Sequence, residues 1–365
     1  MATLPPAPPA TIYTVAEAAG VSIASVSRVL QGSRAVSDST RSKVLEAAAR
    51  LNYVPLGAAR SLAVGQHEAQ GLVLPMLTGP YYSELLVGFE ARAAELGQSV
   101  VLALPDARRD PSQAVRALAS RIEGLAVHGS VELPEAVLSG LGTVKPLLVI
   151  AGCVLPGLDA VGAENTSSAR DLTAHLLAHG RRRLLFLGAP YPCDVRDRYE
   201  GFRLAHVERG LEPSEPVRVP VDEAEGVRFA EGFLAGDHEA DAVVCANDEL
   251  ALAVIGHLAH AGVQVPDDLA VTGWDDVMAA RYVRPGLTTV RQPVREIGEL
   301  AATRLHERVT GAGPALEPVV LPTALVLRGS CGCPDPYPDP SSPCPDGRGR
   351  QRPSTGNERK MPDAT

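Results

Sequence analysis

A short stretch near the N-terminus, Thr14–Leu30, constrains the fold of this chain more than any other segment. Thr14 and Glu17 have the spacing of a capping box, in which two side chains satisfy free amides at the start of a helix. Gly20 tolerates the left-handed backbone that commonly ends a helix, and Ser22 is a preferred cap for the next one. The stretch therefore predicts two short helices joined by a tight turn.

The second of these predicted helices has two different faces. One face carries Val26, Val29 and Leu30 at the i, i+3 and i+4 spacing of a buried helix side. The other face is small and rich in hydroxyls and consists of Ala24, Ser27, Arg28 and Gln31, with Ile23 and Ser25 at its edges. Such a face is suited to lie against another surface. The pair has the pattern of a helix-turn-helix, whose second helix enters the DNA major groove; an ordinary pair of surface helices is the alternative.

The residues that follow extend this pattern. Ser37 can cap a third helix, which would run to Leu51 and stop before Pro55. Together these segments resemble, without a gap, the headpiece of the lactose-repressor/galactose-repressor (LacI/GalR) family of bacterial transcription factors. The matching residues are Val15-Ala16, Ala19-Gly20-Val21-Ser22, Val26-Ser27-Arg28-Val29-Leu30, Val36-Ser37, Thr40-Arg41, Leu51-Asn52-Tyr53-Val54-Pro55 and Ala59-Arg60-Ser61-Leu62.

The resemblance implies a set of contacts to double-stranded operator DNA. Arg28 would donate to a guanine edge, and Ile23 and Ala24 would pack on base edges such as a thymine methyl. Ser22, Ser25, Ser27 and Ser37 would hold phosphates and set the register without reading sequence. The other implied DNA-binding residues are Thr11, Thr14, Gln31 and Tyr53 in the headpiece and Arg60 and Leu62 in the connector.

The connector from Pro55 to Val64 is too short to form a stable helix in water by itself. Leu56 stands where family members commonly place an asparagine cap, so we expect weak helicity. The resemblance implies that two such segments, one per subunit, fold together in the minor groove, where Leu62 would wedge open a base step. This mechanism requires a homodimer on a palindromic operator, and a tetramer stays open. The alternative for Leu62 is a core leucine packed on the body.

The charge distribution agrees with DNA contact at one end only. Residues 1–60 carry six basic and three acidic side chains, a charge of +3, which leaves −12 for the rest of a chain whose net charge is −9. A small basic module on an acidic body is what such a protein requires.

Several features bear on the compartment. Residues 1–10 are rich in proline and lack the pattern of a secretory signal, and no apolar window is long enough to span a bilayer. We therefore expect a cytoplasmic bacterial protein without membrane contact, whose six cysteines are reduced. Cys331, Cys333 and Cys344 could suggest a metal, but no nearby histidine or fourth cysteine completes a set. We expect no metal and no cofactor.

From Gln70 onward, short apolar runs alternate with helical patterns, which indicates parallel sheets of the doubly wound kind. The predicted fold class is an all-α helix-turn-helix headpiece followed by an α/β periplasmic-binding-protein-like core of two doubly wound parallel-sheet lobes. The predicted segments are a flexible leader 1–10, the headpiece 11–54, a hinge connector 55–67, an effector-binding and dimerisation core 68–332 and a disordered tail 333–365. The resemblance divides the core into lobe one, about 68–163 and 291–321, and lobe two, about 164–290 and 322–332.

Ligands of this architecture bind at the carboxyl ends of the strands, here between the lobes. Arg196, Asn247 and Asp275 each follow a predicted strand and form a donor, mixed and acceptor set. Each of them alone could instead be a helix cap. The full set of predicted effector-binding residues is Tyr81, Tyr82, Glu164, Arg196, Asn247, Trp274 and Asp275.

The identity of the effector stays open. Many sugar-binding members place an aromatic residue where this chain has Val221, and Tyr82, Tyr199 or Trp274 could replace it. A sugar or sugar derivative is the main expectation, with a nucleoside or purine-type effector, or none, as alternatives. A secreted solute-binding protein would explain only the body. An enzyme would lack a catalytic set, since the sequence offers no nucleophile elbow, phosphate loop or zinc-protease motif.

Overall fold

The computed structural model describes residues 10–30, 35–53, 69–106, 110–189, 193–313 and 316–334. The predicted hinge connector, most of the predicted leader and nearly all of the predicted tail lie outside these residues. Of the predicted DNA contacts, Gln31, Arg60 and Leu62 also lie outside them.

Three helices build the N-terminal headpiece: α1 (Ile12–Ala19), α2 (Ile23–Leu30) and α3 (Asp38–Arg50). Their apolar faces meet in a small core whose main members are Val15, Val26, Val29 and Val44. Gly20 ends α1 with a φ of 64°, as predicted. Ser22 and Ser37 cap the next two helices, as predicted, by accepting the amides of Ser25 and Thr40.

The cap of α1 lies three residues earlier than predicted. Thr11 Oγ1 accepts the Thr14 amide at 3.3 Å, and Thr14 Oγ1 accepts the Thr11 amide at 2.9 Å. The predicted capping box of Thr14 with Glu17 is wrong, because α1 begins at Ile12 and Thr14 already lies in its first turn. Thr11 and Thr14 satisfy the N-cap and N3 amides, as the two side chains of a capping box do, but without a carboxylate.

The first lobe contains a six-stranded sheet. Its strands are β1 (Ala69–Val73), β2 (Ser99–Ala103), β3 (Gly124–His128), β4 (Leu147–Ile150), β5 (Asp159–Ala163) and β10 (Val319–Leu321). They are parallel and lie in the order β10-β5-β4-β3-β1-β2. The helices of this lobe are α4 (Pro80–Glu95), α5 (Pro111–Ala119), α6 (Glu135–Gly142) and α11 (Val294–Thr310). All residues of β3 and β4 are buried, as in a sheet that helices cover on both faces.

Helix α11 comes from far along the chain and is fastened to this lobe. A Cβ atom at Gly88 of α4 would lie 2.1 Å from the Arg295 carbonyl oxygen, so only glycine allows this close crossing. Arg304 of α11 also forms a buried ion pair with Asp159 of β5, at 2.6 Å. Helix α11 therefore belongs to the first lobe.

The second lobe contains a three-stranded parallel sheet in the order β6-β7-β8, formed by β6 (Leu184–Leu187), β7 (Ala242–Cys245) and β8 (Ala270–Thr272). Its helices are α7 (Thr166–Ala178), α8 (Cys193–Val207), α9 (Glu223–Ala235) and α10 (Asp248–His260). Every residue of β7 and β8 is buried.

An antiparallel pair of strands carries the chain between the lobes. β9 (Thr289–Arg291) leaves the second lobe and β11 (Ala324–Val326) returns to it, and Val290 faces Leu325 in their register. The sequence analysis expected parallel sheets alone. This pair is antiparallel because the chain passes out along one strand and back along the other.

The cysteines differ from the expectation in two ways. Cys153 and Cys193 are joined in a disulfide, with their Cα atoms 5.2 Å apart, although all six cysteines were expected to be reduced. Cys331 and Cys333 do have histidine neighbours, His175 and His179, which come from α7. Both pairings join residues that are distant in the sequence, so spacing alone could not show them. Within the described residues, no helix is both long and apolar enough to cross a membrane.

Candidate functional site

The outer face of α2 is exposed where the sequence predicted contact with bases. Ser22, Ile23, Ala24 and Arg28 are exposed, while Ser25 and Ser27 are half-buried. Small side chains around a long arginine allow the helix to approach a groove closely and let the guanidinium reach base edges.

The predicted DNA contacts at two helix starts differ in whether their hydroxyl proton is already used within the protein. Thr11 accepts a backbone amide and keeps its hydroxyl proton, so it can donate to a phosphate. The hydroxyls of Thr14 and Ser37 instead donate to the Thr11 carbonyl and to Thr40 Oγ1, so these two side chains position the helix starts. Tyr53 packs against the headpiece core. Tyr13 is 68% exposed on α1, although the sequence analysis did not name it among the residues that could contact DNA.

A cleft lies between the lobes, where loops and helices follow the carboxyl ends of the strands. The lining residues from the first lobe are Met76, Tyr81, Tyr82, His128 and Ser130. Those from the second lobe are Asp194, Val195, Arg198, Val221, Asn247, Glu249, Asp275 and Val277.

The arginine of the cleft is Arg198, and not Arg196 as predicted. Arg198 is almost fully buried; its Nε donates to Asn165 Oδ1 at 2.9 Å and its Nη1 to the Ala246 carbonyl at 2.6 Å. Its Nη2 lies 3.6 Å from Asp194 Oδ2. Arg196 is exposed and pairs with its neighbour Asp197 at 3.0 Å. Two residues along a helix point about 200° apart, so these two arginines cannot share a face.

Aromatic side chains form the first-lobe side of the cleft. The Tyr82 ring meets the rings of Tyr81 and His128 edge to face, each at 5.2 Å between centroids. The Ser130 amide donates to Nδ1 of His128, so a neutral His128 carries its proton on Nε2, which lies 3.4 Å from the Tyr81 hydroxyl. Burial, and then Arg198, lower the pKa of His128 to about 3, which keeps this ring neutral. Burial raises the pKa of Tyr82 to about 12.

Two adjacent aspartates with positive φ stand where the chain leaves β8. Asp275 has a φ of 117° and Asp276 a φ of 58°, which is strained backbone for residues other than glycine. The kink sends the two carboxylates to different places. Asp275 lines the cleft and accepts a hydrogen bond from Gln292. Asp276 is buried among arginines and receives Arg328 Nη2 at 2.6 Å and Arg291 Nε at 2.7 Å.

The carboxyl groups of the cleft are hard to ionise. Burial raises the pKa of Asp275 to about 7, and the opposing effects of Arg198 and the Gln292 hydrogen bond are smaller. Burial also raises the pKa values of Asp194 and Glu249. An acid whose pKa is near 7, such as Asp275, can donate as well as accept hydrogen bonds near neutral pH.

The remaining predicted effector residues have different surroundings. Asn247 lines the cleft; its Oδ1 accepts the Leu250 amide as the cap of α10, and its Nδ2 donates to the Val221 carbonyl. Trp274 is buried behind the cleft wall, and its ring supports the Arg198 guanidinium at 4.6 Å. Glu164 does not line the cleft, because its carboxylate accepts the Ser167 and Ser168 amides at the start of α7.

The structure thus brings together Tyr81, Tyr82, Asn247 and Asp275, as the sequence analysis expected. It adds Arg198, His128, Asp194 and Glu249, which that analysis missed. His128 ends a buried strand, so the rule that selected Asn247 could have found it. Tyr199, named as a substitute aromatic, packs on Phe186 and donates to the Ser214 carbonyl.

Comparison with known proteins agrees with this architecture. Residues 11–55 match the family described as bacterial regulatory proteins, lacI family, and residues 173–331 match the periplasmic binding protein-like domain. The HTH-type transcriptional regulator GalR of Escherichia coli (strain K12) is 31% identical over 336 residues, which cover 89% of this chain and 96% of GalR. The HTH-type transcriptional repressor PurR of Haemophilus influenzae (strain PittEE) is 31% identical over 310 residues, with 82% and 91% of the two chains covered.

A solved structure of the lac repressor dimer, bound to operator and the anti-inducer ONPF, superimposes with a TM-score of 0.81 at 27% identity. The match covers 89% of this chain and 99% of that one. The predicted helix-turn-helix headpiece and the predicted two-lobed body are both confirmed. The chain is a DNA-binding transcriptional regulator, and it belongs to the lacI family of bacterial regulatory proteins.

Proposed function

We propose that this regulator is a homodimeric repressor of a palindromic operator, controlled by a small, uncharged, polyhydroxylated effector that binds between the lobes. The effector class is a sugar or a sugar derivative. The observation that carries this proposal is the set of fixed polar side chains that line the cleft, with Arg198, Asn247 and Asp275 among them. A regulator of this kind acts where the DNA is, in the bacterial cytoplasm.

The charge of the cleft favours a neutral ligand. Among its lining residues, Arg198 faces three carboxyl groups, those of Asp194, Glu249 and Asp275. The guanidinium already contacts Asp194, Asn165 and the Ala246 carbonyl, so its positive charge is largely used within the protein. A phosphate or carboxylate ligand would bring its negative charge to three carboxyl groups with a single cation among them, whereas sugar hydroxyls can pair with these carboxyl groups in either protonation state.

A purine-type ligand is the second candidate. The aromatic side of the cleft favours it, because a flat base can pack against the exposed parts of Tyr81 and Tyr82.

We assign no hydrolytic reaction to the cleft. Nδ1 of His128 accepts the backbone amide of Ser130 and not its hydroxyl, so this ring does not activate Ser130 as a nucleophile.

The test has two parts. First, duplex DNA selected from a random pool by the full chain identifies the operator; we expect a palindrome, bound by two chains per duplex in sedimentation. Second, calorimetric titration compares neutral sugars, purine bases and nucleosides, and sugar phosphates as ligands. We expect binding by a neutral sugar that also changes operator affinity.

Two arginine variants serve as a matched pair in the second part. Arg198→Lys should weaken effector binding about 10-fold to 100-fold, because it loses hydrogen bonds from a charged donor in a buried site. Arg196→Lys should bind like the wild type, since Arg196 pairs with Asp197 at the surface. Preferential binding of a purine would replace the sugar assignment, and equal losses in both variants would remove Arg198 from the site.

A further inference from the structure

Two cysteines near the end of the body lie against two histidines of the second lobe. Cys333 Sγ is 3.4 Å from His175 Nε2 and 3.7 Å from His179 Nε2. Cys331 Sγ is also 3.4 Å from His175 Nε2. The ligand atoms of His175, His179 and Cys333 all lie within 4.8 Å of one another.

These separations suit a metal ion with tetrahedral coordination. Zinc–sulfur bonds of about 2.3 Å and zinc–nitrogen bonds of about 2.0–2.1 Å place a sulfur and a nitrogen ligand about 3.6 Å apart. The two distances from Cys333 bracket that value.

The local backbone holds the four side chains in place. His175 lies in the last turn of α7 and His179 caps its end, one helical turn further, so both rings point the same way. Gly332, with a φ of 101°, allows the tight turn that places both cysteines beside this helix. Cys331 is fully buried and its Sγ also contacts Thr288 Oγ1 at 3.1 Å, which orients it.

We propose that His175, His179 and Cys333 bind a divalent transition-metal ion of the zinc class, with Cys331 as the fourth ligand. Mixed thiolate and imidazole ligands select such ions over magnesium or calcium. His179 is exposed and Cys333 half-buried, which gives the ion a path from solvent. The bound ion ties the segment after β11 to α7, so it fastens the end of the body to the second lobe.

The experiment uses the full chain, purified with a thiol reductant and stripped with a chelator. Titration with Zn²⁺ in competition with a chromophoric chelator should give one ion per subunit. Substitution with Co²⁺ should give the absorption bands of a tetrahedral site and a thiolate-to-cobalt charge-transfer band. Zn²⁺ should also raise the melting temperature.

Single substitutions identify the ligands. Cys333→Ser and His179→Gln should each weaken Zn²⁺ binding at least 10-fold and abolish the rise in melting temperature. His260→Gln removes an exposed histidine from α10 of the same lobe and should leave binding unchanged. The proposal is overturned if the reduced wild type binds no stoichiometric Zn²⁺, or if binding survives in both ligand variants. Loss of binding in Cys344→Ser would overturn Cys331 as the fourth ligand.

Discussion

Arg28 projects from a face of α2 that otherwise consists of small side chains and one isoleucine. Arg28→Ala should remove a guanine contact and cost about 1–3 kcal/mol of discrimination between operator and mismatched duplexes. A competition assay with single-base operator variants measures this loss. Arg50→Ala, which removes one positive charge from the basic headpiece, should lower affinity for all duplexes alike, because the lost charge attracts any DNA backbone. An unchanged base preference in Arg28→Ala would contradict the assignment.

The raised pKa of Asp275 predicts how stability depends on pH. Because burial raises this pKa from 3.8 to about 7, the folded protein holds the proton more tightly than the unfolded chain. The resulting stabilisation is complete below about pH 4 and is lost as the pH rises through 7. Wild type should therefore lose more stability than Asp275→Asn between pH 5 and pH 8, by on the order of 1–2 kcal/mol after allowance for water in the cleft.

Urea unfolding of both proteins at pH 5 and pH 8 measures this difference. Asp194 and Glu249, whose pKa values are also raised, remain in both proteins, so the comparison isolates Asp275 together with its electrostatic coupling to them. Parallel changes of stability with pH in the two proteins would contradict the prediction.

Individual site residues could be predicted from the sequence only where their position did not depend on helix phase. Asn247 and Asp275 directly follow strands, so their placement at the cleft follows from the strand ends. The choice between Arg196 and Arg198 depends on which face of α8 turns inward. That helix begins at Cys193, so both arginines lie in its first two turns. Only the packing of Val195 and Phe202 into the core fixes the rotation.

At the scale of elements, long periodic segments were predicted well. Helix α11 spans Val294–Thr310, and its apolar residues recur at the helical spacing that a sequence pattern shows. Helix α6 follows Pro134 without a side-chain cap, so the sequence carries no start signal for it. Strand β5 begins with the buried Asp159, which is paired with Arg304 from a distant helix. Signals that depend on a distant partner are absent from a local pattern.

The connector offers a test at the same scale, although its residues lie outside the described structure. If two connectors fold together and Leu62 wedges open the central base step, Leu62→Ser should weaken operator binding and abolish the DNA bend. Circular-permutation mobility measures the bend, and calorimetry measures effector binding, which should not change. A bend of normal size in this variant would place the wedge elsewhere.

At the scale of the whole molecule, the disulfide of Cys153 and Cys193 joins the two lobes. Cys153 follows β4 of the first lobe, and Cys193 begins α8 of the second. Closing a loop between residues 40 apart stabilises a fold by about 4 kcal/mol at most in the chain-entropy account. A thiol reductant should therefore lower the stability of the wild type and speed the release of effector from the cleft.

Cys153→Ser supplies the control for this prediction. The variant should behave like the reduced wild type and should not respond to reductant. Urea unfolding and stopped-flow release of effector, each with and without reductant, measure the two effects. A response to reductant that persists in Cys153→Ser would assign the effect to other cysteines.

The kink at Asp275 and Asp276 limits how this regulator can be redesigned. The Asp275 carboxylate lines the cleft. The next carboxylate along the chain, that of Asp276, holds Arg291 and Arg328 beside the two strands that cross between the lobes. A substitution at Asp275 that improves the fit of a new ligand will therefore also disturb the crossing strands, so specificity and response change together. Substitutions intended to change ligand specificity alone should be made on the opposite wall of the cleft, at Tyr82 and His128, whose rings contact each other. We expect substitutions at Asp275 to yield variants that bind a ligand without a change in operator affinity.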